Sequence, residues 1–280
     1  MDLLMVGDAV RIAMPTVEHD GVEIAYEVRG QDGVPTVVFC EGLGYGRWMW
    51  QWQAEALADE YQLLLWDNRG TGESAVPDPP YSIAEMAGDL EAVLDATDTD
   101  TAHVVGASMG GMVALQYALT YDRAESLTLL CTSPGGDDAV PTPDETMARM
   151  FSVPEEATER EAIRYKMAPA VTDGFMETHP DLIESVIDAR LDSDAPPHAR
   201  EAQAGAVAAF DVADRLDELT LPTLVMHGTA DRVLPVENSD LLLDGIDTAD
   251  SMIVEGGSHL FFIEDADRVN EQLTTFLSDG

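Results

Sequence analysis

Positive charge is what this sequence has least of. Lysine occurs once, at Lys166, and lysine and arginine together number 14 against 54 aspartates and glutamates, a formal charge of −40. That imbalance excludes the basic footprint that nucleic acid or an anionic membrane surface requires. Cysteine is nearly absent too: Cys40 and Cys131 each close an apolar run (TVVFC, SLTLLC), so both read as buried free thiols packed as small hydrophobes, and no disulfide framework is indicated. No apolar run approaches the roughly 20 residues that span a bilayer. The leading MDLLMVGDAVRIAM lacks both a basic segment and a long apolar segment, so no signal peptide is expected and the expected location is cytoplasmic. Cysteine and histidine do not cluster at metal-ligand spacing, and the glycine-rich GLGYG stands where no dinucleotide fingerprint would. The expectation is therefore no metal and no cofactor.

Hydrophobic residues nevertheless make up 45% of the chain, enough to bury a core despite the charge. The carboxylates must then lie on a folded surface. In dilute buffer that surface repels itself, whereas molar salt shortens the Debye length to roughly 3 Å and removes most of the repulsion. The acidity and the near-loss of lysine resemble proteins of extremely halophilic archaea, which implies a high-salt cytoplasm; an acidic protein of ordinary salt is the alternative.

Short apolar runs alternate with helix-length segments. The runs are 22–28, 36–40, 62–66, 103–107, 126–130, 223–227 and 251–255; the helices between them are expected at 49–60, 82–97, 109–121, 236–244 and 265–277. Continuous rather than alternating hydrophobicity suits strands covered on both faces, so the pattern predicts an α/β fold with a mostly parallel sheet and right-handed crossovers. EHDG at 18–21 predicts a turn that makes the first run antiparallel, joining RIAMPTV to VEIAYEV. About 80 residues break the rhythm with no strand-like run. The expected organisation is a core of 1–132 and 219–280 and a helical lid of 133–218, with helices in EATEREAIRYKMA, DLIESVIDARL and AREAQAGAVAAF.

HVVGASMGGMVAL (103–115) sets a G-x-S-x-G pattern between a strand and a helix. A sharp turn there forces Ser108 into a strained backbone, and Gly106 and Gly110 remove side chains that would collide. The Ser108 hydroxyl then stands at a helix N-terminus, where the N–H of Met109 and the helix dipole favour an oxyanion.

At this point the chain resembles the α/β-hydrolase superfamily over nearly its whole length, and an eight-stranded sheet with a helical lid is what the resemblance implies. CEGLG (40–44) is similar to the family's oxyanion loop, which makes the N–H of Leu43 the second donor. WDNRGTGES (66–74) is similar to its D-x-R-G-x-G-x-S segment, with Asp67 and Arg69 read as a pair that fixes the loop. LPTLVMHGTADRVLP (221–235) resembles the acid strand, carrying Asp231, and GGSHLFFIEDADRVN (256–270) the histidine loop, carrying His259. The implied triad is Ser108, His259 and Asp231 in the order this fold uses. The expected substrate is a small carboxylic ester or lactone, with some similarity to 3-oxoadipate enol-lactonases.

Rival readings stand beside these. Asp137 and Asp138 follow the preceding strand, where some members of the fold take their acid. The other histidines read as packing (His103, His227) or as turn and lid residues (His19, His179, His198). Glu41 stands where the family most often has histidine; it is read as a solvated or hydrogen-bonded side chain, or one that binds water or disfavours anionic substrates beside the nucleophile. Tyr45, Trp48 and Phe261 are candidates for the substrate pocket. Met147, Met150, Phe151, Met167 and Phe175 are read either as lid core or as an apolar face over the substrate. Thioester, amide or C–C hydrolysis and cofactor-free perhydrolysis use the same triad, and a non-catalytic binding module is a further alternative. The oligomeric state is left open.

Overall fold

The structure is a computed structural model describing residues 14–279, so the expectation for the N-terminal segment, including the start of RIAMPTV, lies outside the described residues. Eight strands form one sheet: β1 Thr16–His19, β2 Val22–Gly30, β3 Thr36–Cys40, β4 Gln62–Trp66, β5 Ala102–Ala107, β6 Ala124–Leu130, β7 Thr223–Gly228 and β8 Ala249–Val254. Their order in space is β1-β2-β4-β3-β5-β6-β7-β8. β1 and β2 pair antiparallel, as does β2 with β4, and every later pairing is parallel. The β1–β2 hairpin closes on Asp20 and Gly21, with φ of 50° and 82°, the two left-handed residues a tight two-residue turn requires.

β3, β5 and β7 are buried along their whole length, which is why they read as unbroken apolar runs. Successive side chains face opposite layers. Val38, Leu64, Val104 and Val225 pack with α2 (Ile83–Ala96), α3 (Met109–Ala118) and α9 (Glu237–Gly245). Val37, Leu63, Val105 and Met226 pack with α1 (Gln51–Leu57) and α11 (Ala266–Asp279) on the other face, together with the short α10 (Phe261–Glu264). The five helices expected from periodicity are these, with ends shifted by a few residues.

Between β6 and β7 the chain forms no strand, only an isolated bridge from Gly135 to Asp211. It holds α4 (Asp144–Phe151), α5 (Glu159–Met167), α6 (Phe175–Thr178), α7 (Pro180–Ser193) and α8 (Pro197–Ala208). α5, α7 and α8 are the three expected helices. α5 opens on a reciprocal capping box between Thr158 and Glu161, and α7 and α8 each carry proline in the first turn, where no intrahelical N–H partner is lost. α4 and α6, both short, lie in the lid outside the three helices expected there.

Candidate active site

Ser108 follows the last residue of β5 and precedes the first of α3, at φ 55° and ψ −118°, a conformation L-residues avoid. The close approach that forces it is visible at the flanking glycines. A Cβ on Gly106 would lie 2.2 Å from the Gly110 carbonyl oxygen, and one on Gly110 would lie 2.0 Å from that of Cys40. The strained turn is held from β6 and beyond: Ser108 N–H donates to the Leu130 carbonyl (2.9 Å), and Thr132 Oγ1 donates to the Ser108 carbonyl (2.7 Å).

Asp231 lies in the turn after β7. Its Oδ1 accepts the N–H groups of Val233 (2.7 Å) and Leu234 (2.9 Å), and its Oδ2 lies 2.7 Å from His259 Nδ1. The histidine loop reaches that turn because Gly228 and Gly257 leave room: a Cβ on Gly228 would sit 2.2 Å from the Gly257 carbonyl, which instead accepts the Ala230 N–H at 2.9 Å. Burial alone would raise the Asp231 carboxyl, but the neighbouring imidazoles of His259 and His227 outweigh it and hold it down to about 2. Burial alone would lower His259, and the Asp231 carboxylate overrides that, raising the imidazole well above its ordinary 6.5. Asp137 and Asp138, the rival acids, are exposed, so the carboxylate that meets His259 is Asp231.

Ser108, Leu43, Tyr45 and His259 line one inner cavity of about 50 Å³. Gly42 N–H meets Met49 Sδ (3.2 Å) and Gly44 N–H donates to Gln203 Oε1 (2.8 Å), while the N–H groups of Leu43 and Met109 donate to no other group among the described residues. A second cavity of about 410 Å³ adjoins the first at Leu43, Ser108, Met150 and Val233 and is lined by Met112, Met147, Phe210 and Leu234. Met150 and Met147 thus face cavities, whereas Met167 is buried in the core and Phe175 stacks on His179 at 4.2 Å.

Three of the expected pocket residues lie elsewhere. Glu41 is fully buried behind the cavity-lining residues Gly42 and Leu43: its Oε1 accepts the Asn68 N–H, its Oε2 has no partner among the described residues, and burial followed by the nearby Asp67 charge pushes its carboxyl well above 4.5. It is therefore neither a solvated carboxylate nor a wall of the cavity. Trp48 lines an outer groove with Glu27 and Asp67, its ring tilted against that of Tyr45 with centroids 5.6 Å apart. Phe261 is core, edge-on to Phe262, and it is Phe262 that reaches the inner cavity. Sequence position selected the neighbour, because which of two adjacent aromatics faces inward is set by the turn of α10.

Asp67 and Arg69 do not pair with each other. Asp67 pairs with Arg47, accepting its N–H at 2.8 Å, and Arg69 forms a fork with Asp89 at 2.7 and 2.8 Å. Both fix the loop, each from a different side. Two neighbours of the His259–Asp231 pair were also missed. His227, read as packing, brings Nε2 to 3.2 Å from Asp231 Oδ2 while also contacting the Leu234 carbonyl at 2.9 Å. Cys131, at a φ of 41°, stands beside His259 as a buried thiol whose pKa is raised by burial. No motif marks either residue: Cys131 meets His259 from a distant segment, and the contact of His227 with Asp231, four positions on, depends on how the turn after β7 folds back. Cys131, Asp231 and His259 form a compact group of potential metal ligands. Two ligands on tetrahedral zinc stand about 3.3 Å apart, so the 2.7 Å between His259 and Asp231 is the spacing of a hydrogen bond.

Comparison with known proteins agrees with this architecture. Residues 35–266 match the family model described as alpha/beta hydrolase fold. The Caulobacter segnis protein called Putative carbamate hydrolase RutD is 32% identical over 94% of this chain and 99% of its own, and 3-oxoadipate enol-lactonase 1 of Acinetobacter baylyi is 27% identical over 92% and 94%. Among solved structures, the enol-lactonase from Burkholderia xenovorans LB400 superposes with a TM-score of 0.81 at 27% identity, covering 94% of this chain and all of that one. Est816, an N-acyl homoserine lactone degrading enzyme, superposes at 0.79 with 31% identity over 94% of this chain and all of that one. The chain belongs to the α/β-hydrolase fold family.

Proposed function

We propose that this protein is a serine hydrolase that cleaves a carboxylic ester or lactone through an acyl-enzyme on Ser108. The observation that carries the reading is the His259–Asp231 hydrogen bond of 2.7 Å beside a strained Ser108 that lines the same cavity as His259. Asp231 holds the imidazole in one tautomer and stabilises its protonated form; His259 takes the proton from Ser108 as the hydroxyl attacks, then returns it to the leaving oxygen. The N–H groups of Leu43 and Met109 serve as the oxyanion hole. Water repeats the cycle on the acyl-enzyme and releases the acid.

Residues 133–218 act as a lid over the nucleophile, and the −40 charge with a single lysine fits a high-salt cytoplasm. Among the described residues no helix is long and apolar enough to cross a membrane. The test is a fluorophosphonate probe in molar KCl, followed by short-chain p-nitrophenyl esters. Wild type is labelled and turns over, and Ser108→Ala does neither; a folded wild type that stays unlabelled and inactive removes the reading. The carbamate-hydrolase name of one relative favours a second reading, C–N cleavage at the same serine, which matched ester and amide substrates separate.

A further inference from the structure

With only 14 basic residues in 280, the chain still brings three of them to the nucleophile: the single lysine, Lys166, from α5, Arg190 from α7 and Arg200 from α8 all line the inner cavity that holds Ser108 and His259. Among the described residues no carboxylate lines that cavity. Two of the three cations are held from behind. Arg190 is 2% exposed, with its guanidinium over the Tyr45 ring at 4.5 Å and its Nε donating to Asp194 Oδ2 at 2.8 Å. Its Nη2 lies 2.7 Å from the same oxygen yet makes no hydrogen bond of its own. The Arg200 guanidinium packs on Gly44, next to Leu43, and its nearest carboxylate is again Asp194, at 3.9 Å. Lys166 makes no hydrogen bond or salt bridge to any other described residue.

Among the described residues Asp194 is thus the one counter-charge near all three cations. Glu159 and Glu201 enter only further out, where a cavity of about 360 Å³ shares Lys166, Arg190 and Arg200 with the inner one and opens between α5, α7 and α8. The crowding is felt: burial and then the charges of Arg200 and Arg190 lower the Lys166 ammonium, and burial and then Arg190 lower Arg200. Concentrating uncompensated cations in a buried site costs solvation, and a bound anion is what offsets it. The larger cavity that adjoins it at Ser108 is lined by no charged residue among those described. Glu41, fully buried and off the cavity, presents no carboxylate to an incoming anion.

We infer that Lys166, Arg190 and Arg200 form an anion subsite, so that the preferred substrate is an ester or lactone carrying a carboxylate on its alcohol portion and an apolar group on its acyl portion. The inference rests on Ser108 being the acylated nucleophile. The polarity follows from His259, which lines the cationic cavity and delivers the proton to the leaving oxygen. The alcohol portion therefore lies on the cationic side and the acyl group in the apolar cavity. Attack by the Ser108 oxygen forms the acyl bond, the C–O bond to the alcohol breaks, and the proton from Ser108 leaves with the carboxylate-bearing alcohol.

The test compares 4-butyryloxybutanoate with its neutral isostere, 4-butyryloxybutanamide, in molar KCl. Wild type is expected to favour the anion by about tenfold or more in kcat/KM, the scale of one charge-assisted contact. The ratio falls toward one in Lys166→Met and in Arg200→Gln and is retained in Lys166→Arg. Because the readout is a ratio, a variant that merely folds poorly lowers both substrates together. The product anion 4-hydroxybutanoate is also expected to slow fluorophosphonate labelling of wild type, and 4-hydroxybutanamide is not. Equal turnover of the two esters by a labelled wild type, or an unchanged ratio in both charge-removing variants, overturns the subsite and leaves the serine hydrolase standing. A folded wild type that is neither labelled nor active removes both.

Discussion

At the residue scale the geometry makes two titrations readable. His259 is held above its ordinary 6.5 by Asp231, and the general base of the proposed mechanism works only when deprotonated. The acid limb of kcat/KM against pH is therefore expected above about pH 6.5. Asp231→Asn moves that limb down while cutting kcat by about 10⁴-fold, the scale seen when a triad acid is neutralised. An unmoved limb in Asp231→Asn, or equal loss from Asp138→Asn, would point to another acid. Glu41 titrates in the opposite role. Its folded pKa is raised, so the folded state binds more protons than the unfolded one; its contribution to stability is full below about pH 4.5 and is lost as pH rises toward the folded value. Within that window the slope reaches about 1.4 kcal/mol per pH unit. Chemical denaturation of Glu41→Gln against wild type should show an advantage for the variant that grows as pH rises above the ordinary carboxylate range; parallel curves would mean that Glu41 keeps its charge in the fold.

At the scale of elements, the strand-turn-helix around Ser108 is set by contacts between backbones, which cannot move aside as a side chain can. Gly110→Ala places a methyl 2.0 Å from the Cys40 carbonyl, against the strand that leads into the oxyanion loop. A cost on the order of 3 kcal/mol is expected, lowering Tm by roughly 5–10 °C together with activity. Gly205 is the contrast. It lies inside α8 with open space around its missing Cβ, so Gly205→Ala should gain about 0.5–1 kcal/mol in a thermal melt. If the two substitutions behaved alike, the turn would not be held by the backbone approach described for it.

For the whole molecule the governing quantity is the −40 charge. The cations that might offset it are largely committed: Arg69 to Asp89, Arg47 to Asp67, Arg123 to Asp95, Arg160 and Arg164 to Glu184. Most of the surface carboxylates thus face one another through solvent. Raising KCl from about 0.1 M to about 1 M shortens the Debye length from roughly 10 Å to roughly 3 Å, so Tm should rise steeply over that range. A melting temperature independent of salt would show that the surface charge is not the limiting term and would count against a high-salt origin.

The amino-acid sequence determined the alternation of strands and helices, because strands buried on both faces must be continuously apolar, and it determined the place of Ser108, because a strained strand-to-helix turn needs glycines at fixed offsets. Asp231 and His259 were legible for a related reason: each sits in a short segment whose local pattern resembles that of its family. What sequence could not carry was any contact between distant segments. That Cys131 lies against His259 and that Arg69 pairs with Asp89 rather than Asp67 were decided by tertiary packing, and so were two details of local turns, the contact of His227 with Asp231 four positions on and the choice of Phe262 rather than Phe261 to face the cavity. The same holds for the cations over the nucleophile. Lys166, Arg190 and Arg200 are scattered along three helices of an acidic chain, and only the folding of those helices over the sheet brings them to one cavity, since local patterns report what a residue is and not what it will meet.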